Sequence, residues 1–163
     1  LRLALRAMQP LKLRDLGAGP VETRGALDAA DPVFVGLGLQ FQEPVQVQGA
    51  LQETSDGDLL WRGHVHGTLG GECRRCLAPV QVAVDDDIDL VFSANPELQE
   101  DPAVYPIDPD ADQLDVGPAV REEVALRVSA FPLCRPECKG LCATCGADLN
   151  AGPCRCTPAG STN

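Results

Sequence analysis

The sequence predicts an α+β fold: a mainly antiparallel β-sheet domain, one helix in the C-terminal half, and a cysteine-rich zinc-knuckle segment after it. Three observations carry this. Apolar residues alternate with period two on both sides of an Asp-Gly turn, and again over 80–92. Valines recur every four residues over 116–128. Six of the eight cysteines fall between 134 and 156, and the other two stand at 73 and 76.

In chain order, residues 33–42 are moderately strand-like. VQVQGALQET (45–54) and LLWRGHVHGTL (59–69) flank SDGD, which predicts a hairpin. Trp61, Val65 and Leu69 fall on one face of its second strand, with His64 and His66 on the other. After ECRRC (72–76), Val80, Val82, Val84, Ile88, Leu90 and Phe92 hold even positions, broken by Asp86. Gln81, Asp85, Asp87 and Asp89 point the other way, so this is a half-exposed antiparallel strand and ECRRC sits at the tip between two strands. Residues 95–113, rich in Pro and Asp, read as a long loop. LDVGPAVREEVALRVS (114–129) then predicts a helix over about 115–129. Asp115 is its expected N-cap and Pro118 fits the first turn. Val116, Val120, Val124 and Val128 form the buried stripe, Arg121, Glu122 and Glu123 face out, and Pro132 ends it. The expected organisation is a β domain with its helix over 1–130, a zinc-knuckle segment over 131–156 packed on the hairpin tip 72–77, and a disordered tail over 157–163.

At 163 residues with 44% hydrophobic content, the chain suits one packed domain. It holds no apolar run long enough to span a bilayer. LRLALRAM at the start interleaves Arg with Leu and lacks the features of a secretory signal, so the expected localisation is cytoplasmic. The net charge of −11 is concentrated: eleven acids and no base lie between Leu77 and Val120. That run reads either as a solvated surface or as a docking face for a basic partner. Overall acidity argues against a simple nucleic-acid clamp.

The cysteines come as four close pairs, Cys73/Cys76, Cys134/Cys138, Cys142/Cys145 and Cys154/Cys156. In a reducing compartment such pairs point to tetrahedral zinc rather than to disulfides or redox chemistry. Gly146 follows Cys145, where a knuckle turn needs a positive φ. Eight thiolates make two structural Zn2+ sites. Proximity assigns Cys142, Cys145, Cys154 and Cys156 to one and Cys73, Cys76, Cys134 and Cys138 to the other. Arg74, Arg75, Arg135, Lys139 and Arg155 stand around the sulfurs. They either offset the thiolate charge or touch RNA phosphate.

Closed four-cysteine sites leave no coordination position for a substrate. His64 and His66 share a strand face without an evident third ligand, and Asp85, Asp86 and Asp87 straddle both faces. No phosphate-binding loop, dinucleotide pattern or nucleophile elbow is present. The reading is therefore non-enzymatic, with no catalytic residue, no small-molecule substrate and no membrane partner.

The order ECRRCLAPV, REEVALRVSAFPLC, CKGLCATCGADLN and a closing CRC resembles the YceD family, the large ribosomal RNA subunit accumulation proteins. The likeness covers roughly residues 1–156 and is most specific over 72–79 and 121–156. Cys73, Cys76, Cys134, Cys138, Cys142 and Cys145 match the family motif. The resemblance implies a factor for large ribosomal subunit biogenesis that supports accumulation or maturation of 23S rRNA, with ribosomal RNA or a large-subunit precursor as partner. It carries over no catalytic residue. The alternative is an acidic chaperone or adaptor for a basic ribosomal protein, without direct RNA contact.

Overall fold

Period-two alternation needs a partner strand on at least one edge, and the Asp-Gly turn supplies the first. In a computed structural model, residues 7–30, 32–34, 39–128 and 131–156 are described. The strands are β1 (Leu11–Lys12), β2 (Val21–Leu27), β3 (Leu39–Phe41), β4 (Val45–Glu53), β5 (Leu59–Glu72), β6 (Pro79–Ser93), β7 (Val104–Pro106) and β8 (Gln113–Leu114), and the helix is α1 (Gly117–Arg127). β2, β4, β5, β6 and β7 are neighbours in that order, and β3 also pairs with β5. All pairings in this sheet are antiparallel except β6 with β7. β1 and β8 make a separate two-stranded pair.

The hairpin forms where the turn predicts it. Thr54 N–H donates to Asp58 O at 2.8 Å, and Gly57 takes φ 85°. β5 and β6 then run in unbroken register from Leu59 opposite Phe92 to Glu72 opposite Pro79. This long ribbon carries residues 73–78 to its far end. Trp61, Val65 and Leu69 are fully buried, while His64 and His66 lie on the outer face. Asp86, at a core-facing parity, is exposed. An inward-pointing charge on a strand with few partners on its second side discourages unwanted pairing.

Trp61 explains a pair of glycines. Thr23, Gly49, Gly63 and Ile88 stand side by side across four strands. A Cβ on Gly49 would meet the indole at 2.5 Å, and a Cβ on Gly63 would overlap it too. The ring therefore lies across both glycines, and its Nε1–H donates to the buried Thr23 Oγ1 at 2.8 Å.

α1 is shorter than the expected 115–129. Its N-cap is Val116 rather than the expected Asp115, whose carboxylate sits just before it and accepts from Gly117 N–H at 2.8 Å. Val116, Val120, Val124 and Val128 all join the main core, where α1 packs on β6. The outward face needs correcting. Glu122 is exposed, but Arg121 and Glu123 are half-buried. Glu123 accepts from Tyr105 O–H at 3.4 Å and pairs with Arg127.

Three other readings change. β2 was not anticipated, because Thr23 and Gly25 blur its alternation. Residues 95–113 are not one loop. They contain a 3-10 turn at Leu98–Glu100 and β7, whose Tyr105 ring sits 5.5 Å from that of Phe92. Among the described residues of 33–42, Leu39–Phe41 is strand and Pro32–Phe34 is a 3-10 turn, while 35–38 lie outside the described residues. The tail 157–163 lies outside the described residues. Among the described residues, no helix is long and apolar enough to cross a membrane.

Candidate metal centre

Two short turns position the first cysteine pair of each group. Cys73 N–H donates to Ala78 O at 2.8 Å and Leu77 N–H to Cys73 O at 2.9 Å. The same pattern recurs 69 residues later: Cys142 N–H to Ala147 O at 2.8 Å and Gly146 N–H to Cys142 O at 2.8 Å. In both turns the residue after the second cysteine is left-handed, Leu77 at φ 59° and Gly146 at φ 73°. The β5–β6 register closes the first turn, and a bridge between Leu141 and Asp148 closes the second.

The eight sulfurs gather as two groups of four, Cys73, Cys76, Cys134 and Cys138, and Cys142, Cys145, Cys154 and Cys156, with all Sγ atoms of a group within 4.8 Å of one another. This is the grouping that chain proximity suggests. In the first group Sγ of Cys73 and Cys138 are 3.8 Å apart and those of Cys76 and Cys134 are 3.6 Å apart. A tetrahedron with metal–sulfur bonds of about 2.3 Å has edges of about 3.8 Å, so the donors fit a four-coordinate ion such as zinc. Both groups could hold a metal. The first joins the hairpin tip to the segment that follows α1.

The electrostatics suit a cation. Burial opposes ionisation of Cys73, yet N–H groups of Cys134, Arg75 and Cys76 outweigh it and hold the thiol down at about 6. N–H groups of Cys145 and Thr144 hold Cys142 at about 6 as well. Their neighbours go the other way. Burial, then the adjacent sulfurs, push Cys134 up to about 12. A hydrogen bond with Cys145, then burial and further sulfurs, push Cys156 up to about 12. Four sulfurs this close do not all ionise without positive charge between them.

The two groups are stitched together. Leu141 N–H donates to Arg75 O at 2.9 Å, and Leu149 N–H to Gly140 O at 2.9 Å. Gly140, at φ 76°, lets Arg75 come close: a Cβ there would sit 2.8 Å from Arg75 O. Asn150 spans the gap. Its Nδ2 donates to Cys138 Sγ at 3.5 Å and to Asp148 Oδ1 at 2.7 Å, while its Oδ1 accepts from Lys139 N–H at 2.8 Å. A residue in the loop of the second group thus supports a ligand of the first. Sequence reasoning passed over Asn150, whose only signal was its place at the end of GLCATCGADLN.

The basic residues separate into two kinds. Arg75 turns its guanidinium onto the carbonyls of Pro136 (3.3 Å) and Cys138 (2.9 Å), so it braces the groups against each other. Arg74, Arg75, Arg135, Lys139 and Arg155 are all exposed, so it is partners and not burial that set Arg75 apart. Arg74 lies over the Phe131 ring, 4.8 Å from its centroid. Hydrogen bonds from Asn150 chiefly hold the Asp148 carboxyl below its usual range, and the charge of Arg135 adds to them. His64 and His66 do not gather a metal set. His64 lies between Asp85 (2.6 Å) and Asp87 (2.9 Å), one on each ring nitrogen, as an imidazolium would.

Comparison with known proteins gives the setting. A family model described as "Large ribosomal RNA subunit accumulation protein YceD" matches residues 61–161. An uncharacterised protein of Mycobacterium tuberculosis is 34% identical over 117 residues, which is 65% of this chain and 55% of that protein. A maize protein, "Large ribosomal RNA subunit accumulation protein YCED homolog 1, chloroplastic", is 26% identical over 183 residues, covering 93% of this chain and 62% of its own. The chain therefore spans little more than half the length of these relatives. No solved structure matches. With the matched region running from β5 through both cysteine groups, the chain belongs to the YceD family of large ribosomal RNA subunit accumulation proteins.

Proposed function

We propose that the protein is a non-enzymatic factor in large ribosomal subunit biogenesis, supporting accumulation or maturation of 23S rRNA. Each cysteine group holds one structural zinc ion, and Arg74, Arg135, Lys139 and Arg155 face ribosomal RNA. The observation that supports this best is the pair of four-sulfur groups on one stitched segment, edged by exposed cations, in a chain of a family described by ribosomal RNA accumulation. Zinc supplies a cross-link there: closed tetrahedral sites hold backbone and leave no position for a substrate. Arg75 is exposed too, but its guanidinium is engaged with carbonyls, which favours a bracing role for it over an RNA contact. A reducing compartment keeps the sulfurs available for metal, and a cytoplasmic setting fits that need.

Gradient sedimentation tests the reading. The protein is expected to travel with large-subunit precursors, and its depletion is expected to lower 23S relative to 16S rRNA. Migration only at the top of the gradient, with unchanged RNA ratios, would sink it. The second reading, a chaperone or adaptor for a basic ribosomal protein, draws on the acids of β6, with Asp85, Asp86, Asp87 and Asp89 all exposed. Binding of naked ribosomal RNA that weakens steeply with salt separates the two, since the chaperone predicts none.

A further inference from the structure

We infer that Leu77, Arg74 and Phe131 form a docking surface for an unpaired nucleobase of single-stranded RNA, a refinement that rests on the RNA-facing reading above. The two knuckle turns act as an internal control. They share their hydrogen bonds, and the left-handed position holds glycine in one (Gly146) and leucine in the other (Leu77). A Cβ is disfavoured in that conformation, so glycine is the unstrained choice. Leu77 recovers little by burial, because it is 56% exposed. A strained, exposed apolar residue on a rigid turn is placed for something outside the chain.

The turn that carries it, and the segment bonded to that turn, indicate what. Phe131 is 64% exposed, and the Arg74 guanidinium lies over its ring. Arg74 N–H donates to Pro132 O at 3.0 Å, which fixes the segment carrying Phe131 against the knuckle carrying Leu77. An apolar side chain, an aromatic ring and a planar cation make a stacking surface for a base with its phosphate nearby. Duplex RNA keeps its base faces stacked against one another and presents only backbone and base edges. The exposed Arg135, Lys139 and Arg155 complement a polyanion and would repel a basic protein.

The test uses the full metal-loaded chain and fluorescence anisotropy with a labelled single-stranded oligoribonucleotide and its duplex. The single strand is expected to bind more tightly. L77G and F131A are each expected to weaken it by about tenfold, the scale of losing one stacked base. L77G is also expected to retain its zinc and to melt no lower than the parent chain, because glycine removes the left-handed strain. L77G, folded and metal-loaded, binding the single strand like the parent chain would overturn the inference. So would equal affinity for the duplex. If the parent chain binds neither RNA form, the RNA-facing reading itself falls; if it binds both and neither substitution matters, only this surface does.

Discussion

Asn150→Ala removes a side chain that belongs to one cysteine group and serves the other. The variant loses the Nδ2–H donor to Cys138 Sγ and the Oδ1 acceptor for Lys139 N–H, while its third bond, to the exposed Asp148, is replaced by water. At about 1 kcal/mol net for each hydrogen bond, the loss is about 2 kcal/mol, or roughly thirtyfold in affinity. That lies within the ten- to hundredfold range typical of groups supporting metal ligands. Competition with a chromophoric zinc chelator reads the affinity. Mass mapping of alkylated thiols then shows which cysteines are released first. The weakened group is expected to be Cys73, Cys76, Cys134 and Cys138, although residue 150 lies within the other loop. Unchanged affinity, or release confined to Cys142, Cys145, Cys154 and Cys156, would refute the proposed link.

Three further outcomes follow from the same geometry. Stripping the metal should abolish hydrogen-exchange protection over 73–78 and 131–156 while β4 to β6 stay protected, because the main core contains no cysteine and the second cluster holds only Cys73, Val80 and Cys138 as buried members. Uniform loss across the sheet would contradict this. Gly63→Ala drives a Cβ into an indole pinned to Thr23, so unfolding followed by the single tryptophan should show a loss of about 1–3 kcal/mol, and a wild-type midpoint would count against the packing described. His64 is raised above 6.5, chiefly by its hydrogen bond to Asp87 against the pull of burial, with Asp85 adding. Its contribution to stability is thus complete below pH 6.5 and disappears as pH rises through the higher folded value. An NMR titration should place His64 above 6.5 and move it down in Asp87→Asn; a midpoint at or below 6.5 in the parent chain would be inconsistent with the paired ring.

Several elements were legible because their signals are local. Alternation over 80–92 reports a strand with one wet face whatever lies beside it, and four valines at spacing four report a helix stripe. A four-cysteine group closed within 15 residues is nearly a property of the chain's own turns. β7 was not legible. Three residues carry no period, and Val104–Pro106 becomes a strand only because β6 offers its edge and Phe92 meets Tyr105. The sequence placed Trp61 on one strand face with Val65 and Leu69, but not its reason for needing Gly49 and Gly63, which depends on the register between strands.

By itself, then, the sequence determined the fold class, the hairpin that carries ECRRC, the helix stripe and the division of the cysteines, all set by spacing over a few residues. Tertiary structure alone decided which groups of the chain the residues between the sulfurs meet. Arg74 and Arg75 are adjacent, chemically alike and both exposed, yet one lies over Phe131 and the other is turned onto carbonyls of Pro136 and Cys138. Consecutive side chains leave a turn in different directions. Which of them meets a chain segment some 60 residues away depends on how the hairpin tip packs against the segment after α1, and no local pattern encodes that.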